Sequence, residues 1–77
     1  MKRANHQKIL PKKWLTTQQE PLACKEKIEL LNENIFEILN LAEEILDESI
    51  LMGVDPKQTK SIIKKAIDNI SSDLKSD

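Results

Sequence analysis

The sequence predicts an all-α fold, an antiparallel αα-hairpin with a long first helix, a shorter second helix and an extended basic N-terminal arm. Two stretches carry apolar residues at helical spacing, and the chain's only glycine lies between them, just before an Asp-Pro dipeptide. A short link between two amphipathic helices favours antiparallel packing. We therefore expect an arm over residues 1–20, a helical hairpin over 21–74 and a frayed tail over 75–77.

The first helix is predicted over about residues 25–52, and competing start signals at 17–21 place its first turn between 18 and 23. Apolar residues cluster on one side of this helix and acidic residues on the other. Leu30 and Leu41 lie at the margin of the apolar stripe and widen it beyond what one partner helix covers. This stripe is the predicted partner-binding face, with Leu30, Ile35, Ile38, Leu41 and Ile45 as its main residues.

The stretch "LMGVDPKQ" predicts the turn of the hairpin. Gly53 suits the position after a helix, where the backbone is left-handed. Asp55 is the expected N-cap of the second helix, and Pro56 fits its first position because its φ is already helical. The second helix is predicted from Pro56 to about Leu74.

A chain of 77 residues forms only a thin core. Single cores below about 80 residues rarely supply more than about 3 to 5 kcal/mol. Cys24 is the only cysteine and His6 the only histidine, so neither an internal disulfide nor a four-ligand zinc site is expected. Association is the remaining source of stability, which predicts a homodimer with four helices around one core, or a complex with another helical protein.

The candidate chemistry points away from an enzyme. The sequence places no acid, base or cysteine in register with His6, one glycine cannot form a phosphate-binding loop, and Ser49 is expected to bond back to the carbonyl of Ile45. We expect no catalytic residue, no metal site and no cofactor. The absence of a long apolar run and the single cysteine predict a cytoplasmic protein that does not enter a membrane.

Charge is segregated along the chain although the net charge is only -1. Residues 1–20 carry five basic groups and one acidic group, residues 21–56 carry two basic and nine acidic groups, and residues 57–77 carry five basic and three acidic groups. The arm contains the only tryptophan, in "KILPKKWL". We expect it to dock on an apolar helical surface of this chain, a second copy or another protein, through Ile9, Leu10, Trp14 and Leu15.

The stretch "SILMGVDPKQTKSI" from Ser49 to Ile62 resembles the helix-turn-helix family, with a small residue four before the glycine, then "GV" and a capping residue, and an apolar residue nine after the glycine. It departs from the family at Thr59, where an apolar residue is usual. The resemblance implies a second helix that enters the DNA major groove, with Lys57, Lys60, Ser61 and Lys64 matching its outward positions.

Two functions follow as hypotheses. The first is a non-catalytic protein–protein interaction module, a small regulator, adaptor or chaperone-like subunit that acts through the apolar helical face and the arm. The alternative is a small helix-turn-helix-like DNA-binding regulator that uses the second helix.

Overall fold

A computed structural model describes residues 6–74. Lys2 and Arg3 of the predicted arm and the predicted tail over 75–77 lie outside the described residues. Two α-helices make up most of the described chain: α1 is Lys25–Leu51 and α2 is Pro56–Asn69. A 3₁₀ turn, His6–Ile9, precedes them. The described residues contain no β-strand, only an isolated antiparallel bridge between Leu15 and Pro21. The two helices pack against each other, which confirms the predicted all-α helical hairpin.

The structure divides into two compact units, and the division falls within α1, between Leu39 and Asn40. The described part of the first unit, residues 6–39, holds the N-terminal segment and the first part of α1. The described part of the second unit, residues 40–74, holds the rest of α1, the turn and α2.

The first helix begins later than the predicted range of 18–23. Its first hydrogen bond runs from the N–H of Ile28 to the carbonyl of Cys24, at 3.1 Å. The N–H of Leu22 donates instead to the carbonyl of Trp14, at 2.7 Å. This bond and the bridge between Leu15 and Pro21 tie residues 21 and 22 to the preceding loop rather than to the helix.

The end of α1 is a Schellman motif, and Gly53 occupies the position after the helix that the sequence predicts for it. The N–H of Val54 donates to the carbonyl of Ser49 at 2.8 Å, and the N–H of Gly53 donates to the carbonyl of Ile50 at 3.1 Å. Gly53 has φ of 78°, in the left-handed region. These two bonds satisfy carbonyls that the end of a helix would otherwise leave open.

The start of α2 also agrees with the sequence. Asp55 has extended backbone angles, and its carboxylate accepts a hydrogen bond from the N–H of Lys57 at 3.0 Å. Pro56 occupies the first turn, where its missing N–H costs nothing. The sharp junction between the helices therefore depends on residues 53–56.

The second helix ends at Asn69, five residues before the predicted Leu74. Ile70 is already extended, with φ of -78° and ψ of 138°. Beyond it, the Ser72 hydroxyl accepts a hydrogen bond from the N–H of Leu74 at 2.9 Å. Serine side chains compete for backbone groups in this way, so the "NISSDL" segment favours local turns over a further helical turn.

Replacing Gly53 with alanine is expected to lower the free energy of unfolding by about 1 to 2 kcal/mol, because a Cβ disfavours the left-handed backbone. An added Cβ would meet no atom within 4 Å, so the loss would come from the backbone alone. Urea unfolding followed by circular dichroism measures it. Gly53→Asn is the matched control and should lose less, since asparagine tolerates this conformation; equal losses would contradict the explanation.

Candidate interaction surface

Trp14 is anchored to the first part of α1. Its indole Nε1–H donates to Oδ1 of Asn32 at 2.8 Å, and the side chain is half-buried. A buried indole needs such a partner for its N–H. The anchor joins residues 18 positions apart, so it fixes the N-terminal segment on α1 within the first unit.

A small loop follows the tryptophan. The bond between Leu22 and Trp14 and the bridge between Leu15 and Pro21 bring its two ends together. The Thr16 hydroxyl accepts hydrogen bonds from the N–H groups of residues 18 and 20, each at 3.2 Å. These bonds give the loop a defined shape that leaves Leu15 55% exposed.

The loop contains one strained residue. Gln19 has φ of 65°, a left-handed backbone conformation that residues other than glycine adopt rarely. Its N–H donates to the carbonyl of Thr16 at 2.9 Å, and the N–H of Thr16 donates to the carbonyl of Glu20 at 2.7 Å. These bonds hold the tight turn that the conformation of Gln19 makes possible.

The four arm residues singled out from the sequence differ in burial. Trp14 and Leu10 are half-buried, whereas Ile9 is 65% exposed and Leu15 is exposed. Asn32, which holds Trp14, was missed by the sequence reasoning. The sequence offers one indication of its role: Asn32 is a polar residue one turn after Ile28 and close to Ile35, so it lies on the half-buried side of α1.

Removal of the Asn32 amide is expected to loosen the arm. In Asn32→Ala the indole loses its acceptor, so the fluorescence of the single tryptophan should shift to longer wavelength, towards emission in water. Emission spectra of the folded variant and of the original protein test this. Asn34→Ala, an exposed asparagine on the same helix, is the matched control and should leave the spectrum unchanged. An unshifted spectrum in Asn32→Ala would show that the hydrogen bond does not hold the arm.

The residues of the predicted helix face fall into two groups. Leu30, Ile38 and Leu41 are 58%, 52% and 57% exposed. Ile35 and Ile45 are half-buried. Three of the five are thus available to a partner, and the other two are partly covered within the chain.

Large apolar side chains elsewhere in the described chain are also exposed, and none of the apolar residues within 6–74 is fully buried. Single exposed aliphatic residues are ordinary on a monomer, but a chain whose described part lacks any buried apolar side chain is not. The remaining exposed apolar residues are Ile9, Leu15, Leu31, Ile50, Leu51, Met52, Val54, Ile62, Ile67, Ile70 and Leu74.

Among the side chains that the structure describes, Ser49 alone is buried, at 4% exposure. Its Oγ lies 3.0 Å from the carbonyl oxygen of Ile45, as the sequence predicts, and 2.9 Å from Oγ1 of Thr59. Thr59 in turn lies 3.4 Å from the carbonyl oxygen of Asp55. The contact between Ser49 and Thr59 fixes how α1 and α2 are aligned along their axes. Each hydroxyl can donate one hydrogen bond and accept another, so the two hydroxyls can be linked in series.

The Thr59 partner was not predicted, although a signal exists. Ser49 and Thr59 are each five residues from Val54, the centre of the turn, so an antiparallel hairpin brings them opposite each other. The residue at which the chain departs from the helix-turn-helix pattern therefore has a structural role in this hairpin.

The lysines of α2 lie along its exposed side. An open groove of about 480 Å³ is lined by Lys57, Lys60, Ser61, Lys64, Lys65 and Asp68. All four residues that the helix-turn-helix resemblance singled out belong to it. Asp68 is the one acidic residue of this lining.

Comparisons of this chain with protein-family models, with curated proteins and with solved structures gave no significant match. No helix within residues 6–74 is both long enough and apolar enough to cross a lipid bilayer.

Proposed function

We propose that this protein is a non-catalytic interaction module, a small regulator, adaptor or chaperone-like subunit of the cytoplasm. It acts through the apolar face of its helices and through its N-terminal arm. It pairs with a second copy to form a four-helix bundle, or with another helical protein. The proposal is supported chiefly by one observation: no apolar side chain within 6–74 is fully buried, while many large ones are exposed.

Burial of apolar surface contributes about 25 cal/mol per Å², and a chain this small gains little of it alone. Leu41 and Ile62 illustrate the surface that stays in water, at 57% and 58% exposure. A helical partner that covers such residues would supply the burial that the single chain lacks.

The arm contributes a second contact region. Trp14 is tied to Asn32, and the following loop keeps Leu15 exposed in a defined position. An exposed leucine on an ordered loop costs less conformational entropy on binding than one on a flexible tail. Ile9 adds a further exposed aliphatic side chain in this segment.

Light scattering after size exclusion tests the proposal. We expect a dimer or larger species that persists at about 1 M salt, where surface ion pairs are screened but apolar burial is not weakened. The melting temperature should rise with protein concentration, because folding is then coupled to association. A monomer with a cooperative, concentration-independent melt would contradict self-association.

A second candidate function is DNA binding through α2. It is favoured by the lysine-lined groove, which contains the residues matching outward positions of a helix-turn-helix recognition helix. Duplex binding should then fall steeply as salt increases, and Lys60→Ala with Lys64→Ala should abolish it. Absence of duplex binding at low salt would eliminate this candidate.

A further inference from the structure

Four apolar residues define what we call the hairpin face: Leu41 and Ile45 on α1, Met52 directly after the end of α1, and Ile62 on α2. Leu41, Met52 and Ile62 are 57%, 71% and 58% exposed, and Ile45 is half-buried. All four belong to the second unit.

Helix geometry places these residues on one side of the hairpin. The Ser49–Thr59 contact marks where α1 and α2 face each other. At 3.6 residues per turn, Leu41, Ile45 and Met52 are rotated from Ser49 by about 40° to 80°, and Ile62 is rotated from Thr59 by about 60° in the same sense. When two helices are antiparallel, residues rotated in the same sense from the contact point, each viewed from the N-terminus of its own helix, lie on the same side of the helix pair.

Charge distinguishes the two helices that border this face. Between residues 40 and 51, α1 carries four acidic residues and no basic one: Glu43, Glu44, Asp47 and Glu48. In α2 there are four lysines and one acidic residue, Asp68. Two helices that pack lie about 8 to 10 Å apart, close to the screening length at physiological salt, so their charges still interact.

We propose that the occupant of the hairpin face is a second copy of this chain, packed face to face so that α1 of each copy lies on α2 of the other. The inference rests on the proposed function and specifies its partner. A two-fold axis along the helices produces this arrangement and keeps every neighbouring helix pair antiparallel. The alternative, α1 on α1, would set the four acidic residues of each copy against an acidic helix.

The register of the assembly follows from the hairpin itself. A two-fold axis along the helices leaves the turns of both copies at the same end of the bundle. Two residues at the same height along the helix axes within one chain are therefore also at the same height when they belong to different copies. Ser49 is level with Thr59. Ile45 is therefore about level with Ile62 of the second copy, and Glu44 is about level with the second copy's Lys65.

Glu44 and Lys65 lie on the outer border of the hairpin face. Each is exposed, and each is rotated beyond the apolar residues of its helix, by about 140° from Ser49 and about 120° from Thr59. Within one chain these two side chains point to opposite edges of the face. Between two copies packed as proposed they meet, which gives two symmetric ion pairs that flank the apolar contact.

Charge reversal in the full-length chain tests the arrangement. Glu44→Lys and Lys65→Glu should each weaken dimerisation by about tenfold, because each replaces two attractive pairs with two repulsive ones, and the double variant should restore it. Glu29→Lys, on the same helix but outside the second unit's face, is the control for a mere change in net charge. Sedimentation equilibrium gives the dissociation constants.

Cross-linking provides an independent measurement. Cys24 is exposed, so it is first replaced in Cys24→Ser. Chains carrying Glu44→Cys are then mixed with chains carrying Lys65→Cys and treated with a short bismaleimide. The proposed packing predicts a mixed product of the two chains in preference to either homodimer.

The outcomes separate this inference from the proposed function. If Glu44→Lys strengthens the dimer, or if two chains carrying Glu44→Cys cross-link to each other, then α1 of one copy lies on α1 of the other. Either result would overturn the proposed arrangement and leave the proposed interaction module intact. A chain that stays monomeric at all concentrations would overturn the inference together with self-association.

Discussion

Replacement of Leu41 with glutamate is expected to convert the associated protein into monomers. Leu41 is 57% exposed in the single chain, so the substitution removes little internal packing. Each copy would nevertheless place a charge in the apolar contact, and a two-fold interface contains every substitution twice, once from each copy. With the lost burial of two leucines, we expect the dissociation constant to rise by about a hundredfold or more.

Leu51→Glu is the matched control for this prediction. Leu51 lies on the same helix and is 86% exposed, and it is rotated from Ser49 by about 160°, beyond Glu44, so that it points away from α2 and lies outside the apolar contact. The same exchange of leucine for glutamate there should leave the dissociation constant nearly unchanged. Sedimentation equilibrium on both variants makes the comparison, and equal weakening by the two substitutions would mean that the hairpin face is not the contact.

The features predictable from sequence were the local ones. Gly53, Asp55 and Pro56 act within a few residues of the chain, through backbone conformation and capping, and the structure places both helix junctions where they indicate. Periodicity likewise identified both helices, because it reflects which side of each helix is apolar.

The features that were missed depend on contacts between distant residues or on competition between local structures. The hydrogen bond from Trp14 to Asn32 joins residues 18 apart and has no periodic signature. The first helix starts late because the N–H of Leu22 is hydrogen-bonded within the preceding loop. The second helix ends early because the serines after Ile70 bond to nearby backbone groups. Helical spacing alone indicates neither, because the start of α1 was inferred from capping signals at 17–21 and the apolar pattern of α2 continues past Asn69 to Ile70 and Leu74.

Burial was the least predictable property. An apolar stripe shows which side of a helix avoids water, but it does not show whether the same chain covers that side. Ile45 and Leu41 belong to one predicted face, and only Ile45 is half-buried in the single chain. The difference depends on what the rest of the chain covers, which the period of α1 does not show.

Ser49→Asp is expected to have the largest effect on the stability of the hairpin. Ser49 is 4% exposed, and its Oγ lies 3.0 Å from the carbonyl oxygen of Ile45. A carboxylate at this position would lose its hydration and face that carbonyl, with only the Thr59 hydroxyl as a donor. We expect a loss on the order of 3 kcal/mol in the free energy of unfolding, which is comparable to the whole stability of a chain this small.

Two further variants make the cause of this loss measurable. Glu48→Asp introduces the same residue at the exposed neighbouring position and should change the free energy of unfolding by no more than about 0.5 kcal/mol. Ser49→Ala removes the hydroxyl without adding a charge and should cost about 1 kcal/mol, because Thr59 keeps the carbonyl of Asp55 as an acceptor. Urea unfolding of the three variants at one protein concentration ranks them. If Ser49→Asp were no less stable than Ser49→Ala, water would reach the Ser49 position in solution, and the Ser49–Thr59 contact would not be what holds α1 and α2 in register.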